Sequence, residues 1–115
     1  MASVDVLIVG GAAVGSAAAY FLRSQPAFQG TVLVVEQDYS YANSATARSA
    51  ASIRHQFSTP ENIRMSQFGT EFIRRIGEHL RVDDTAPDVG FHEGGYLFLA
   101  TPRGQGVLES NHRVQ

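Results

Sequence analysis

Hydrophobic residues cluster in the first 36 positions. Val4 to Val9 is a β-branched and aliphatic run broken only by Asp5, which suits a parallel strand buried on both faces. From Ala13 to Leu22 the chain turns Ala-rich and ends in Tyr20, Phe21 and Leu22, the pattern of a helix pressed closely on a sheet. A polar break from Ser24 to Gly30 follows, and "TVLVVEQ" then reads as a second buried strand ending in Glu36. Strand, Gly-rich turn, helix and strand predict one βαβ unit.

The rest of the chain is patterned differently. Asp38 to Ser58 is small and polar with no clear period, and is expected to be a functional connection holding a short Ala-rich helix. Ser58 and Glu61 have the spacing of a capping box, Pro60 suits a first turn, and Met65, Phe68, Phe72, Ile76 and Leu80 recur at three and four residues. These signals predict a helix from near Pro60 to near Leu80. "GGYLFLAT", Gly94 to Thr101, reads as a strand, and Pro102 to Gln115 as the start of another helix. No internal repeat is evident. One βαβ unit, one long helix and a strand without a partner do not cover both faces of a sheet, so the chain reads as the truncated amino-terminal part of a longer protein.

Composition narrows the chemistry. The 115 residues suffice for one small domain, and 43% hydrophobic with 17% charged residues describes a globular chain. A net charge of −2, with Arg scattered among Asp and Glu, argues against a nucleic-acid partner. All nine basic residues are Arg, which excludes lysine chemistry such as a Schiff base. With no Cys there is no disulfide, thiolate nucleophile or Cys-ligated metal, and no metal site is expected. The apolar amino terminus lacks a preceding basic residue and is broken by glycines, so neither a signal peptide nor a membrane span is expected and the location reads as cytoplasmic.

The turn between the first strand and helix carries the candidate chemistry. In Gly-x-Gly-x-x-Gly the first glycine makes the tight turn, the second lets backbone approach a pyrophosphate, and the third lets helix and strand pack closely. Gly10 and Gly15 keep the outer positions, while Ala12 occupies the middle one with Gly11 beside it. Gly10, Gly11, Ala12, Ala13, Val14 and Gly15 are therefore the candidate phosphate cradle. Glu36, with Gln37 after it, stands at the end of the next strand, where a carboxylate can accept hydrogen bonds from ribose hydroxyls. The added methyl at Ala12 predicts a small change in ligand distance, and the turn alone does not distinguish NAD from FAD.

Three stretches in order, "DVLIVGGAAVGSAAAYFL", "SATARSAASIRHQFSTPENIRMS" and "GFHEGGYLFLAT", resemble FAD-dependent oxidoreductases of the D-amino-acid oxidase superfamily, the group with the sarcosine and glycine oxidases. The resemblance covers nearly the whole chain. It implies an α/β, Rossmann-like dinucleotide-binding domain, incomplete here, over residues 1–85, and the first strands of an antiparallel substrate domain over residues 86–115. It implies FAD as cofactor, with Ser44, Ala45, Ser49, Ala51 and Ser52 in a small-residue loop near the flavin end. It further implies that Arg54, in the "SIRHQF" context, contacts a substrate carboxylate, a task suited to a guanidinium fork. His55 is expected to support the loop. Many family members have glycine where this chain has Ala12, Ala51 and Ser52.

The expected activity is flavin-dependent oxidation of the CH–NH group of an amino acid or amine, a small-molecule substrate, with the 115 residues inactive alone because most of the pocket would lie beyond Gln115. Two rivals remain open: a fragment of an NAD-dependent dehydrogenase, which leaves "SATARSAASIRHQF" without a role, and a non-catalytic dinucleotide-binding subunit. Catalytic acid or base, electron acceptor and oligomeric state are not legible.

Overall fold

The computed structural model describes residues 3–115, and the chain divides into two compact units, Met1–Ser52 and Ile53–Gln115. In the first, β1 (Val6–Val9) and β2 (Val32–Val35) pair in parallel, with Val6 opposite Val32 and Val9 opposite Val35. The crossover between them contains α1 (Ala13–Arg23), which completes the βαβ unit expected from the hydrophobic runs. Asp5, the one charge in the first run, fastens the start of the pair. Its Oδ2 accepts from the Thr31 N–H at 2.7 Å and hydroxyl at 2.8 Å, and its own N–H donates to Thr31 Oγ1 at 3.1 Å. Those bonds, the Thr31 N–H foremost, hold the Asp5 carboxyl below the usual carboxylate range. At the other end Gly10 N donates to Val35 O at 2.8 Å, carrying the parallel pairing one residue into the turn.

The connection after β2 contains turns where an Ala-rich helix was expected. Tyr41 N donates to Asp38 O, Ser44 N to Tyr41 O and Ser49 N to Thr46 O, while the Ser44 and Ser49 hydroxyls accept from Ala47 N and Ala51 N. Serine hydroxyls offer the backbone local partners that compete with helix bonds, and Ala51 adopts a left-handed φ of +49°. Hydroxyl density thus overrides alanine propensity.

In the second unit α2 (Pro60–Arg74) and the single turn α3 (Ile76–His79) replace the continuous helix expected to Leu80. They are separated by Arg75 at φ −107°, ψ 20°. Thr59, not Ser58, is the N-cap and no side chain caps the helix, so the Ser58/Glu61 box does not form. Pro60 occupies the first turn as expected. The inward face also differs from the expected stripe: Ile63 and Thr70 are buried with Ser66 and Ile73 half-buried, whereas Met65 and Phe68 are about three-fifths exposed. Phe72 instead stacks on the His79 ring at 4.5 Å. The exposed side of this helical stretch carries ion pairs, with Arg74 bonded to Glu71 and Arg75 to Glu78, and Arg74 also reaching Glu93 at 2.5 Å.

Residues 94–101 belong to no strand of the structure. A strand requires a neighbour for its backbone groups, and no ladder partner stands beside this run among the described residues. A 3-10 turn at Pro102–Gly104 leads into α4 (Gln105–Val114), as the closing segment predicted. Among the described residues no helix is long and apolar enough to cross a membrane.

Candidate dinucleotide-binding site

The turn between β1 and α1 has the backbone its glycines predict. Gly10 sits at φ +99°, a region closed to most side chains. Gly15, on the first turn of α1, is packed so tightly that a Cβ there would lie 1.8 Å from the Gly10 carbonyl oxygen and 3.1 Å from Ile8 Cγ2. The outer glycines therefore perform the first and third tasks of the fingerprint. Ala12 is the extended N-cap of α1, with φ −67° and ψ −168°, a conformation open to alanine, and no side chain caps the helix. The amides opening α1 are thus left for a ligand, at the end where the helix dipole favours an anion.

Glu36 is built into the turn. Its Oε2 accepts from Gly11 N–H at 2.7 Å and its Oε1 from Asp38 N–H at 2.9 Å, so the strand-end carboxylate ties the glycine turn to the loop after β2. The Asp38 and Gly11 amides hold the Glu36 carboxyl below its ordinary value. Each oxygen keeps a further lone pair, leaving the half-buried side chain able to accept from a ligand hydroxyl.

Two hollows border this turn. The larger, about 550 Å³, is lined by Val9, Gly10, Ala12, Val35, Glu36, Gln37, Asp38, Tyr41, Asn43, Ser44 and Ala45. The smaller, about 380 Å³, is lined by Gly11, Ala12, Ala13, Ser16, Tyr41, Ser44, Thr46 and Ala47. Ala12, Tyr41 and Ser44 belong to both. The two differ electrostatically: Glu36 and Asp38 border the larger, while the smaller has hydroxyls and the α1 amino terminus but no carboxylate. Asp38, held by Ser40 and Asn43, is likewise shifted toward ionisation.

Of the sequence-predicted residues, Gly10, Gly11, Ala12, Ala13, Glu36, Gln37, Ser44 and Ala45 line one or both hollows. Val14 is 85% exposed and Gly15 packs against Gly10, and both lie outside the linings, as do Ser49, Ala51 and Ser52. Asp38, Tyr41, Asn43, Ser16 and Thr46 were not singled out. The Asp-x-Ser spacing of Asp38 and Ser40 is a turn signal that could have flagged the first. Nothing local predicts Tyr41, whose φ is +56°.

Arg54 belongs to the second unit. Its side chain is exposed, with the guanidinium carbon 4.8 Å from the centre of the Phe57 ring, and among the described residues it forms no ion pair. His55 Nε2 and Thr70 Oγ1 share a hydrogen bond of 2.8 Å, which gives His55 the supporting role expected of it.

A parallel βαβ unit with a glycine turn, an uncapped helix start and a strand-end carboxylate defines a dinucleotide-binding protein. The family model for FAD dependent oxidoreductases matches residues 5–114, and the chain belongs to that family, the DAO group of flavoproteins. It is 46% identical over 114 residues to FAD-dependent oxidoreductase domain-containing protein 1 of Xenopus laevis and 45% identical over 114 residues to the protein so named of Bos taurus. The Drosophila melanogaster homologue is 40% identical over 111 residues. Each match takes in 96% of this chain but only 23%, 24% and 21% of the respective relative, so the chain spans under a quarter of their length. No solved structure matches it. The family's cofactor is FAD, and the residues fit one: the Gly10 conformation, the Gly15 contact and the uncapped amino terminus of α1 leave a turn that could accommodate a diphosphate.

Proposed function

We propose that this chain is the FAD-binding, amino-terminal part of a flavoprotein that oxidises the carbon–nitrogen bond of amino acids or amines. The carrying observation is the pairing of an uncapped α1 with Glu36, which holds Gly11 N–H at 2.7 Å beside the turn. Phosphates belong in the smaller hollow, where hydroxyls of Ser44 and Thr46 and helix amides can donate to them without a facing carboxylate, the Ser16 hydroxyl being already given to the Gly11 carbonyl. The adenosine belongs in the larger, where Glu36 and Asp38 can accept from ribose hydroxyls and Val9 and Val35 supply apolar surface. When bound, FAD supplies a two-electron acceptor for hydride from the carbon beside the amine nitrogen. Residues 1–85 then serve the cofactor, and residues 86–115 begin the substrate domain.

Support for a carboxylate-bearing substrate comes from Arg54. It is exposed, lacks a carboxylate partner among the described residues, and lies in the Ile53-Arg54-His55 context. Its part is to bind and orient the substrate by a two-pronged hydrogen bond. Arg54→Lys keeps the charge and loses the fork. In the full-length protein kcat/KM for an amino acid is expected to fall roughly ten- to hundredfold, with its decarboxylated amine nearly unaffected and flavin absorbance unchanged. Equal losses on both substrates would assign Arg54 to holding the loop, and loss of flavin would assign it to the cofactor.

A further inference from the structure

The segment carrying Arg54 is irregular, so something other than a ladder must set where its guanidinium sits. Two contacts from one face of α2 hold the backbone segment from which it extends. Ser66 Oγ donates to the Arg54 carbonyl oxygen at 2.5 Å, and Thr70 Oγ1 shares the 2.8 Å hydrogen bond with His55 Nε2. Ser66 and Thr70 are four residues apart, one above the other on the helix. They grip consecutive residues of the segment, the first by backbone and the second by side chain. Thr70 is only 3% exposed although polar, and His55 accounts for its buried hydroxyl. Arg54 is then the exposed tip of an anchored segment, steadied further by the Phe57 ring.

Arg74 and Arg75 give the contrast. Carboxylates of Glu71, Glu93 and Glu78 occupy their guanidinium groups, while Arg54 is fixed through its main chain and its neighbour. Such an arrangement anchors the backbone that bears the cation while no carboxylate among the described residues pairs with it, which reduces the ordering entropy that binding an anionic group must overcome.

We propose that Ser66 and Thr70 are positioning residues that pre-set Arg54 for a substrate carboxylate. The inference rests on the reading of Arg54 above and adds that affinity for the carboxylate depends on the α2 anchor. The full-length, FAD-loaded protein tests it, with N-methylglycine as carboxylate probe and dimethylamine as its counterpart lacking the carboxylate. Binding is followed by the change in flavin absorbance, and turnover by initial rates. Thr70→Val removes the hydroxyl at nearly constant volume and is expected to raise Kd and KM for N-methylglycine roughly tenfold, with kcat and dimethylamine affinity little changed. Thr70→Ser should restore the wild-type values. Ser66→Ala, at a half-buried site, should act in the same direction and covers the case in which Thr70→Val fails to fold.

In an Arg54→Lys background neither change should cost anything more, because the group being positioned is gone. Additive losses in that background, equal losses on both probes, or wild-type affinity in Ser66→Ala and Thr70→Val would overturn the anchor while leaving Arg54 as the carboxylate ligand. If Arg54→Lys alone treats the probes alike, or neither probe binds, the reading of Arg54 fails and the anchor fails with it.

Discussion

The two units of the chain solve the same problem in different ways. In Met1–Ser52 the backbone organises itself: a parallel ladder, a glycine turn and two carboxylates, Asp5 and Glu36, that accept from main-chain N–H groups. In Ile53–Gln115 order comes from helices, exposed ion pairs and a few side-chain grips, and Ile63 and Thr70 are its buried residues. A backbone-organised unit has little tolerance for an extra atom. A side-chain-organised one on a helix should absorb most surface changes.

The largest expected effect breaks the first unit outright. Gly15→Ala would set a methyl 1.8 Å from the Gly10 carbonyl oxygen, a backbone atom that cannot swing aside. Separating β1 from α1 is expected to cost about 3 kcal/mol or more and to abolish FAD retention, measured as flavin content and melting temperature of the full-length protein. Retention of both would mean that helix and strand are not in close contact at this point.

Glu36→Ala comes next. Removing the carboxylate frees Gly11 and Asp38 amides and takes away the proposed ribose acceptor, so FAD affinity should fall roughly ten- to hundredfold without unfolding. Unchanged affinity would remove Glu36 from the site. The same bond predicts a pH dependence. Because the folded-state pKa of Glu36 lies below the ordinary 4.5, its contribution is complete above that value and is lost as the pH falls through the lower folded-state value. Flavin release on acidification, followed by fluorescence between about pH 5 and pH 3, should therefore be shallower in Glu36→Gln than in wild type. Ala12→Gly should leave affinity nearly unaltered, since the N-cap conformation already suits alanine.

In the second unit the same type of change has the opposite sign. A Cβ at Gly69, inside α2, meets nothing within 4 Å, so Gly69→Ala is expected to stabilise by about 0.5–1 kcal/mol through the unfolded chain's lost freedom. A lower melting temperature would show that this face of α2 is covered. The smallest effect is expected for Glu78→Gln. It breaks the exposed pair with Arg75, and its melt should be indistinguishable from wild type.

Sequence legibility follows the same division. β1, α1, β2 and the glycine turn could be read because their cause is local: buried runs of strand length, a turn that only glycine fits, and an acid at the strand end. The candidate site was readable where it is backbone, at Gly10 to Ala13, and at Glu36. It was not readable at Tyr41 and Asp38, which are brought to the turn by a loop whose path depends on hydroxyl bonds such as Ser44 Oγ to Ala47 N–H. The expected Ala-rich helix failed for that reason. Apolar spacing located α2 but pointed to Met65 and Phe68 as the inner face, because periodicity reports which residues are oily and not which side has a neighbour. Thr70 is buried through its bond to His55, fifteen residues away in sequence.

What the sequence by itself determined is the dinucleotide turn, set by contiguous residues whose conformational needs only glycine meets, and the flavoprotein family, carried by the resemblance of three stretches in order. Only the tertiary structure decided that Glu36 ties the turn to the following loop, that carboxylates border one hollow and hydroxyls the other, and that Ser66 and Thr70 hold the Arg54 segment. Each of these depends on groups far apart along the chain meeting at hydrogen-bond distance. Such meetings are fixed by how the elements pack, and no local propensity encodes them.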